Sequence, residues 1–331
     1  MSDSKEVAPG VFWMRIPLPF ALDHINVWGL DEGDGWTIVD TGMKTPQAEA
    51  AWNTAFAHRL SGKPIKRVIC THMHRDHAGL AGWLTNRFRC RLWMTRLEYF
   101  SYRLSLANAQ QEYSIDAIRH FRAAGWDDSA IEHYRRRSAS FGAMANPLPD
   151  SYRRVSDGEE LQIGGILWRA VVGRGHSPEH LCLHAPDLGV LISGDQVLPK
   201  ISSNVSVLPV EPDADPLADW LDSLASIKGR VGDDVLVLPA HNAPFRGLHA
   251  RLDELIDGHR EALRRVRREI GEPKRAIDLF ETLYHRDIGA ELLGLATGEC
   301  LAHLNYLIAG GLATREADDA GVYWYREAPA L

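Results

Sequence analysis

Hydrophobic positions along the chain fall into two rhythms. Residues 11–18, 24–30 and 36–40 are short stretches rich in β-branched and aromatic side chains, broken by Pro or Gly-Asp turns, and they predict strands. Asp31-Glu32-Gly33-Asp34-Gly35 predicts a hairpin turn between the second and third. Residues 45–58 predict a helix, with Thr45 as N-cap and Pro46 at the first helical position. A buried-strand pattern (66–71), a helix start (79–86) and another strand (89–95) follow. Strands resume at 166–172, 181–184, 190–193 and 235–238, with a loop rich in Pro and Asp (208–216) and a helix (219–227) before the last. Alternating helices and strands predict a layered α/β body.

Two segments break this rhythm. Residues 97–150 are helical in character, carry Tyr99, Phe100, Tyr102, Tyr113, Phe121, Trp126, Tyr134 and Phe141, and end at Pro147-Leu148-Pro149-Asp150. This block reads as an insertion into the body and as a candidate lid, because long insertions often sit over active sites. A long helix (246–270), basic at its end (Arg264-Arg265-Val266-Arg267-Arg268), stops at Gly271-Glu272-Pro273. The body therefore spans 1–270, and 271–331 reads as a small appended unit. Helices at 276–284, 288–295 and 299–309, a turn at Asp318-Asp319 and a strand-like end at 321–326 give that unit a winged-helix outline.

The composition narrows the function classes. The 331 residues are 45% hydrophobic and 24% charged, with a net charge of −7, which is ordinary for a globular protein and unsuited to general nucleic-acid binding. No apolar run reaches membrane-spanning length, and Met1-Ser2-Asp3-Ser4-Lys5-Glu6 lacks a signal-peptide pattern. Cys70, Cys90, Cys182 and Cys300 are too few and too scattered for a disulfide framework; reduced thiols and a cytoplasmic location are expected.

The chemistry concentrates in Thr71-His72-Met73-His74-Arg75-Asp76-His77-Ala78-Gly79, between a buried strand and a helix. His72 and His74, two apart in extended chain, point to the same side, and Asp76 and His77 can reach a second point nearby as the chain turns. Three imidazoles and a carboxylate in six residues suit zinc or a similar first-row metal. His180 is a candidate for orienting a ligand, and His24 for approaching the site; the other histidines read as surface or packing residues.

This His-x-His-x-Asp-His segment resembles the metallo-β-lactamase superfamily. Gly175-His176-Ser177-Pro178-Glu179-His180, Ser193-Gly194-Asp195 and Pro239-Ala240-His241 resemble its later motifs, in order, and Val39-Asp40-Thr41-Gly42 its early one. The resemblance spans about 10–260 and implies a four-layer αβ/βα sandwich with two metal ions at one edge, zinc by default, with iron or manganese suited to the same donors. His72, His74 and His176 would hold the first ion, Asp76, His77 and His241 the second, and Asp195 both. Asp76 and Asp195 are thereby the residues expected to enter the chemistry, and Asp40 supports the ligand loop.

The resemblance implies hydrolysis by a metal-bridging hydroxide. Asp195 stands where the family's true β-lactamases commonly carry Cys, which argues against that activity. Some members with a comparable tail are RNA endonucleases, but residues 272–331 hold five basic side chains (Lys274, Arg275, Arg286, Arg315, Arg326) against ten acidic ones, a poor match for phosphate. Packing, walling the site or a homodimer contact suit the tail better. A small-molecule substrate is expected. A thioester of coenzyme A or glutathione comes first, since a thiolate (pKa about 8.5) leaves with little help. A lactone or carboxylic ester is the alternative, and a phosphodiester or RNA the next.

Overall fold

The computed structural model describes residues 4–109, 114–138, 142–285 and 287–329, without the side chains of Arg137 and Ser138. Tyr113, Phe141 and Arg286 lie outside the described residues, as does the start of the N-terminal segment.

The first sheet has seven strands in chain order: β1 (Lys5–Ala8), β2 (Val11–Pro17), β3 (His24–Asp31), β4 (Trp36–Val39), β5 (Ile65–Ile69), β6 (Arg91–Met94) and β7 (Tyr152–Arg154). Pairing is antiparallel up to β4 and parallel from β4 to β7. Its helices are α1 (Pro46–Ala57), α2 (Arg75–Ala78) and α3 (Ala81–Phe88). As the sequence predicts, α1 starts on Thr45, whose hydroxyl accepts from the Ala48 amide at 3.1 Å, with Pro46 in its first turn. The second sheet holds β8 (Glu160–Ile163), β9 (Ile166–Gly173), β10 (His180–Ala185), β11 (Val190–Gly194) and β12 (Leu236–Pro239), in the order β12-β11-β10-β9-β8. Only β11 and β12 pair in parallel there, across the helix α7 (Pro216–Arg230) that joins them.

Period-two alternation sorts each strand's side chains between cores. Ile38 and Val68 face α1 and α3 with Trp52 and Leu84, while the next residues, Val39 and Ile69, face the other sheet. Leu181 and Leu183 of β10 meet them there, and Cys182, between the two, faces the opposite way with Trp220 of α7. Helix, sheet, sheet, helix is the αβ/βα sandwich that the resemblance implies. Cys70, Cys182 and Cys300 are buried, Cys90 partly so, and all four are unbridged. Among the described residues no helix is long and apolar enough to cross a membrane.

The 97–150 block is α4 (Arg96–Asn108), α5 (Ile115–Ala123), α6 (Asp128–Ser138) and a 3-10 turn at Gly142–Met144. Phe121, Trp126 and Ile131 form a satellite core of their own. The Trp126 indole donates to Thr297 Oγ1 at 2.9 Å, tying this block to the C-terminal segment. Trp126→Phe removes the bond and part of a buried ring, so a loss of at least about 1 kcal/mol is expected in urea unfolding; an unchanged midpoint would show that this tie contributes nothing.

α8 (Leu248–Glu269) leads into a 3-10 turn (Ala276–Leu279), α9 (Phe280–Tyr284), α10 (Leu293–Ala309) and the hairpin β13 (Ala313–Ala317) with β14 (Tyr323–Glu327). The expected second and third tail helices are one: α10 runs unbroken through Gly298, and 288–292 is not helical. α10 buries Cys300, Leu301, Leu304 and Leu307 in the same core as α7 and α8. The strands β1, β7, β8 and β13 had no expectation in the sequence. They have three to five residues each, and β1, β7 and β13 lie largely exposed or half-buried, too short and too polar for an apolar rhythm.

Candidate metal centre

Loops at one edge of both sheets carry the predicted residues. β5 ends into the loop of His72, His74, Asp76 and His77, and α2 turns its end so that both halves of the motif face inward. β9 runs out toward His176, β11 into Asp195 and β12 into His241. The C-terminal ends of parallel strands are where open α/β sheets place ligands.

All seven residues come together. Donor atoms of His72, His74, His176 and Asp195 lie within 4.8 Å of one another, and so do those of Asp76, His77, Asp195 and His241; Asp195 belongs to both groups. Its Oδ2 is 3.4 Å from His77 Nε2 and 3.5 Å from His176 Nε2, and its Oδ1 is 3.6 Å from His241 Nε2. Asp76 Oδ2 lies 3.4 Å from His241 Nε2.

Four of the five rings are turned by a bond on the nitrogen away from the cluster, whereas His74 brings its Nδ1 to 2.9 Å from His72 Nε2. His77 Nδ1 donates to Asp40 Oδ2 at 2.8 Å, His176 Nδ1 to the Asn204 carbonyl at 2.8 Å, and His241 Nδ1 to the His24 carbonyl at 3.3 Å. Thr71 Oγ1 gives its proton to Asp40 and receives one from His72 Nδ1 at 3.1 Å. With the proton on Nδ1, the neutral form of each of these four rings presents its Nε2 lone pair inward.

Charge and burial suit a cation. Burial and the surrounding imidazoles push His72 and His180 well below the usual histidine range, and burial with His176 pushes His74 to about 3, so these rings are neutral at pH 7. Burial opposes ionisation of Asp76 and Asp195, but His77 and His241 outweigh it, holding Asp76 at about 2 and Asp195 well below its ordinary value. Burial also opposes charge on His77, yet Asp195, Asp40 and Asp76 raise it far above the usual range. Three carboxylates around one ring call for positive charge. His77 Nε2 and Asp195 Oδ1 are moreover buried with no hydrogen-bond partner. Buried polar atoms are rarely left so, and an ion between them satisfies both. The donor set fits divalent metal.

Supporting residues surround the donors. Asp40 sits at φ 62°, a left-handed conformation that Asp tolerates, and accepts from the Thr71 amide at 2.8 Å. His180 Nε2 accepts from the Asp195 amide at 3.1 Å, so this ring fixes the backbone of the shared carboxylate. A Cβ on residue 194 would lie 2.6 Å from the His180 ring, and φ there is 51°; both require the glycine of Ser-Gly-Asp. His24 serves through its carbonyl, while its ring bonds Asp23.

Sequence reasoning missed three supports. Buried Glu98 of α4 accepts from the Met73 amide at 2.8 Å and the Glu179 amide at 2.7 Å, joining two donor loops. Buried Asn26 of β3 donates to the Pro239 and Asn242 carbonyls at 2.8 and 2.7 Å, clamping the His241 loop. The third is Asn204. A polar residue inside the apolar run of β3 was the one signal available for Asn26; Glu98 looked like any acidic residue in a first helical turn.

Comparison with known proteins agrees with the geometry. Residues 21–268 match the family described as "Metallo-beta-lactamase superfamily", and 263–328 match "Metallo-beta-lactamase-like, C-terminal domain". A solved structure of a "Beta-lactamase domain protein" from Burkholderia ambifaria superposes with a TM-score of 0.91 at 43% identity, over 98% of this chain and 94% of that one. "Probable metallo-hydrolase YqjP" of Bacillus subtilis is 27% identical over 95% of this chain and 97% of its own length. An "Atrochrysone carboxyl ACP thioesterase" of Aspergillus fumigatus is 26% identical, and a "Linear primary-alkylsulfatase" of Pseudomonas sp. 23%, each over 71% of this chain but only 41% and 44% of their own lengths. The ordered motifs, the four-layer fold and the paired His/Asp groups converge with these matches: the chain belongs to the metallo-β-lactamase superfamily and is a metallo-hydrolase of that superfamily.

Proposed function

We propose that the chain is a thioester hydrolase acting on a small-molecule acyl thioester, of coenzyme A or glutathione, in the cytoplasm. The observation that carries hydrolysis is the sharing of Asp195 between two donor groups. In this reading His72, His74 and His176 hold one zinc ion and Asp76, His77 and His241 a second, with Asp195 on both. Iron and manganese suit the same donors. Bound there, divalent ions supply Lewis acidity and a nucleophilic water at neutral pH.

The chain's own residues argue for the leaving group. All seven donors must be deprotonated to hold metal, so none is a proton donor for a departing group. An alkoxide leaves more readily with such a proton; a thiolate, with its thiol pKa about 8.5, depends on it less. Apolar side chains border the supports of the donors and suit an acyl group. Phe20 and Leu22 are exposed just before His24, Leu97 is exposed beside Glu98, and Leu295 is exposed where its carbonyl meets Asn204. The name of the Aspergillus relative points the same way.

Thiol release from acyl-coenzyme A of graded chain length and from S-acylglutathione, with metal-loaded protein, tests the reading. Release that chelation abolishes is expected. Turnover of a lactone, a phosphodiester or an alkyl sulfate, with no thiol released from either panel, would replace the thioester by that substrate class.

A further inference from the structure

We infer that Glu299, on α10 of the C-terminal segment, is a positioning residue for the ion held by His72, His74 and His176, acting through Asn204. The inference rests on the metal reading above and assigns the C-terminal segment a part in that site.

The path is continuous. His176 Nδ1 donates to the backbone carbonyl of Asn204 at 2.8 Å, so the direction of His176 Nε2 follows the position of that peptide. Asn204 lies in an irregular stretch between β11 and α7, with no ladder to fix it. Its side chain supplies the fix: Nδ2 donates to Glu299 Oε2 at 3.1 Å and to the Leu295 carbonyl at 3.3 Å, both on α10. Glu299 is itself held, since the Tyr284 hydroxyl of α9 donates to the same Oε2 at 2.9 Å.

Neighbouring contacts press the same stretch onto α10. The Val207 amide donates to the Gly298 carbonyl at 3.0 Å, and a Cβ on residue 298 would come within 2.7 Å of Ser206, so α10 approaches at a distance only glycine permits. Ser203, one residue before Asn204, bonds the Asp195 carbonyl through its hydroxyl. α10 is thus the wall on which 203–207 rests, and Glu299 is the side chain by which it grips the residue behind His176. None of the Asp76, His77 and His241 supports described above involves α10: Asp40 holds His77, and the His24 carbonyl holds His241. Through Asn204, the Glu299 side chain therefore bears first on His176 and the ion it would hold.

Outer partners of metal-bound histidines typically set affinity by about 10–100-fold. Competition with a chromophoric zinc chelator resolves two stepwise dissociation constants, and His176→Ala identifies which step belongs to the histidine-rich group. Glu299→Ala is expected to weaken that step by about tenfold or more, leaving the other within about twofold. Glu299→Gln retains an acceptor for Asn204 and Tyr284 and is expected to restore the affinity. Should Glu299→Ala not fold, Asn204→Ala keeps the carbonyl, loses the tether, and must show the same step-selective loss. Unchanged steps, or equal weakening of both, would overturn the role of Glu299. Wild-type protein that binds no zinc in this titration would instead overturn the metal reading.

Discussion

If the chain holds two zinc ions as proposed, Asp195→Ala is expected to leave fewer than one per chain after desalting, with turnover falling more than about a hundredfold, since loss of an outer partner alone costs about 10–100-fold. The size of the effect follows from its place in the centre. Asp195 is the one residue common to both donor groups, and its two oxygens lie 3.4–3.6 Å from imidazole nitrogens of His77, His176 and His241. Removing it strips an anion from both groups at once. Asp195→Asn keeps the volume but offers a neutral oxygen and an amide that cannot ligate through nitrogen; it is expected to lose nearly as much. Elemental analysis beside activity separates the two roles. Two retained ions in either variant would show that Asp195 does not bridge.

Asp40→Ala is expected to destabilise the fold by about 3–5 kcal/mol in urea unfolding, the size seen when one member of a buried charged pair is removed. The carboxylate is buried and accepts from the Thr71 amide, the Thr71 hydroxyl and His77 Nδ1, with bonds between 2.8 and 3.1 Å. Alanine leaves three donors without a partner in the interior, and it also takes on the left-handed φ of 62° that Asp or Asn tolerates better. Asp40→Asn keeps one acceptor oxygen and the backbone preference, so a smaller loss is expected. Unfolding the chelator-treated protein isolates this from any change in zinc affinity. Equal stability of Asp40→Ala and the parent would show that the supporting bonds contribute nothing to the fold.

The donors were legible because each sits in a short motif at a strand end, where chemistry needs particular residue types whatever the surroundings. His72 to His77 could be read from the residues themselves, whereas His176, Asp195 and His241 came from the resemblance that their motifs carry when taken in order. The supports were harder. Asp40 was found because it stands in a motif of its own, but Glu98, Asn26 and Asn204 act through backbone groups far along the chain, such as the Pro239 carbonyl for Asn26. Nothing in local sequence records such a bond. The tail shows a similar limit from the packing side. The expected helices at 288–295 and 299–309 leave Gly298 in the gap between them, yet α10 passes through it, because the missing side chain is what lets 203–207 lie against the helix. Tertiary contact overrode a propensity of about 1 kcal/mol.

The cage is assembled from both sheets. His72, His74, Asp76 and His77 follow β5 of the first, whereas His176, Asp195 and His241 follow strands of the second. A nascent chain emerging from the ribosome therefore offers half a cage long before the remainder is synthesised, and partial sets of donors hold ions weakly. The full cage cannot form before His241, the last of the seven residues, has been made. The order of assembly is then set by where the residues fall along the polypeptide: the site closes only once the second sheet joins the first, and a product truncated before His241 lacks the last member of the set.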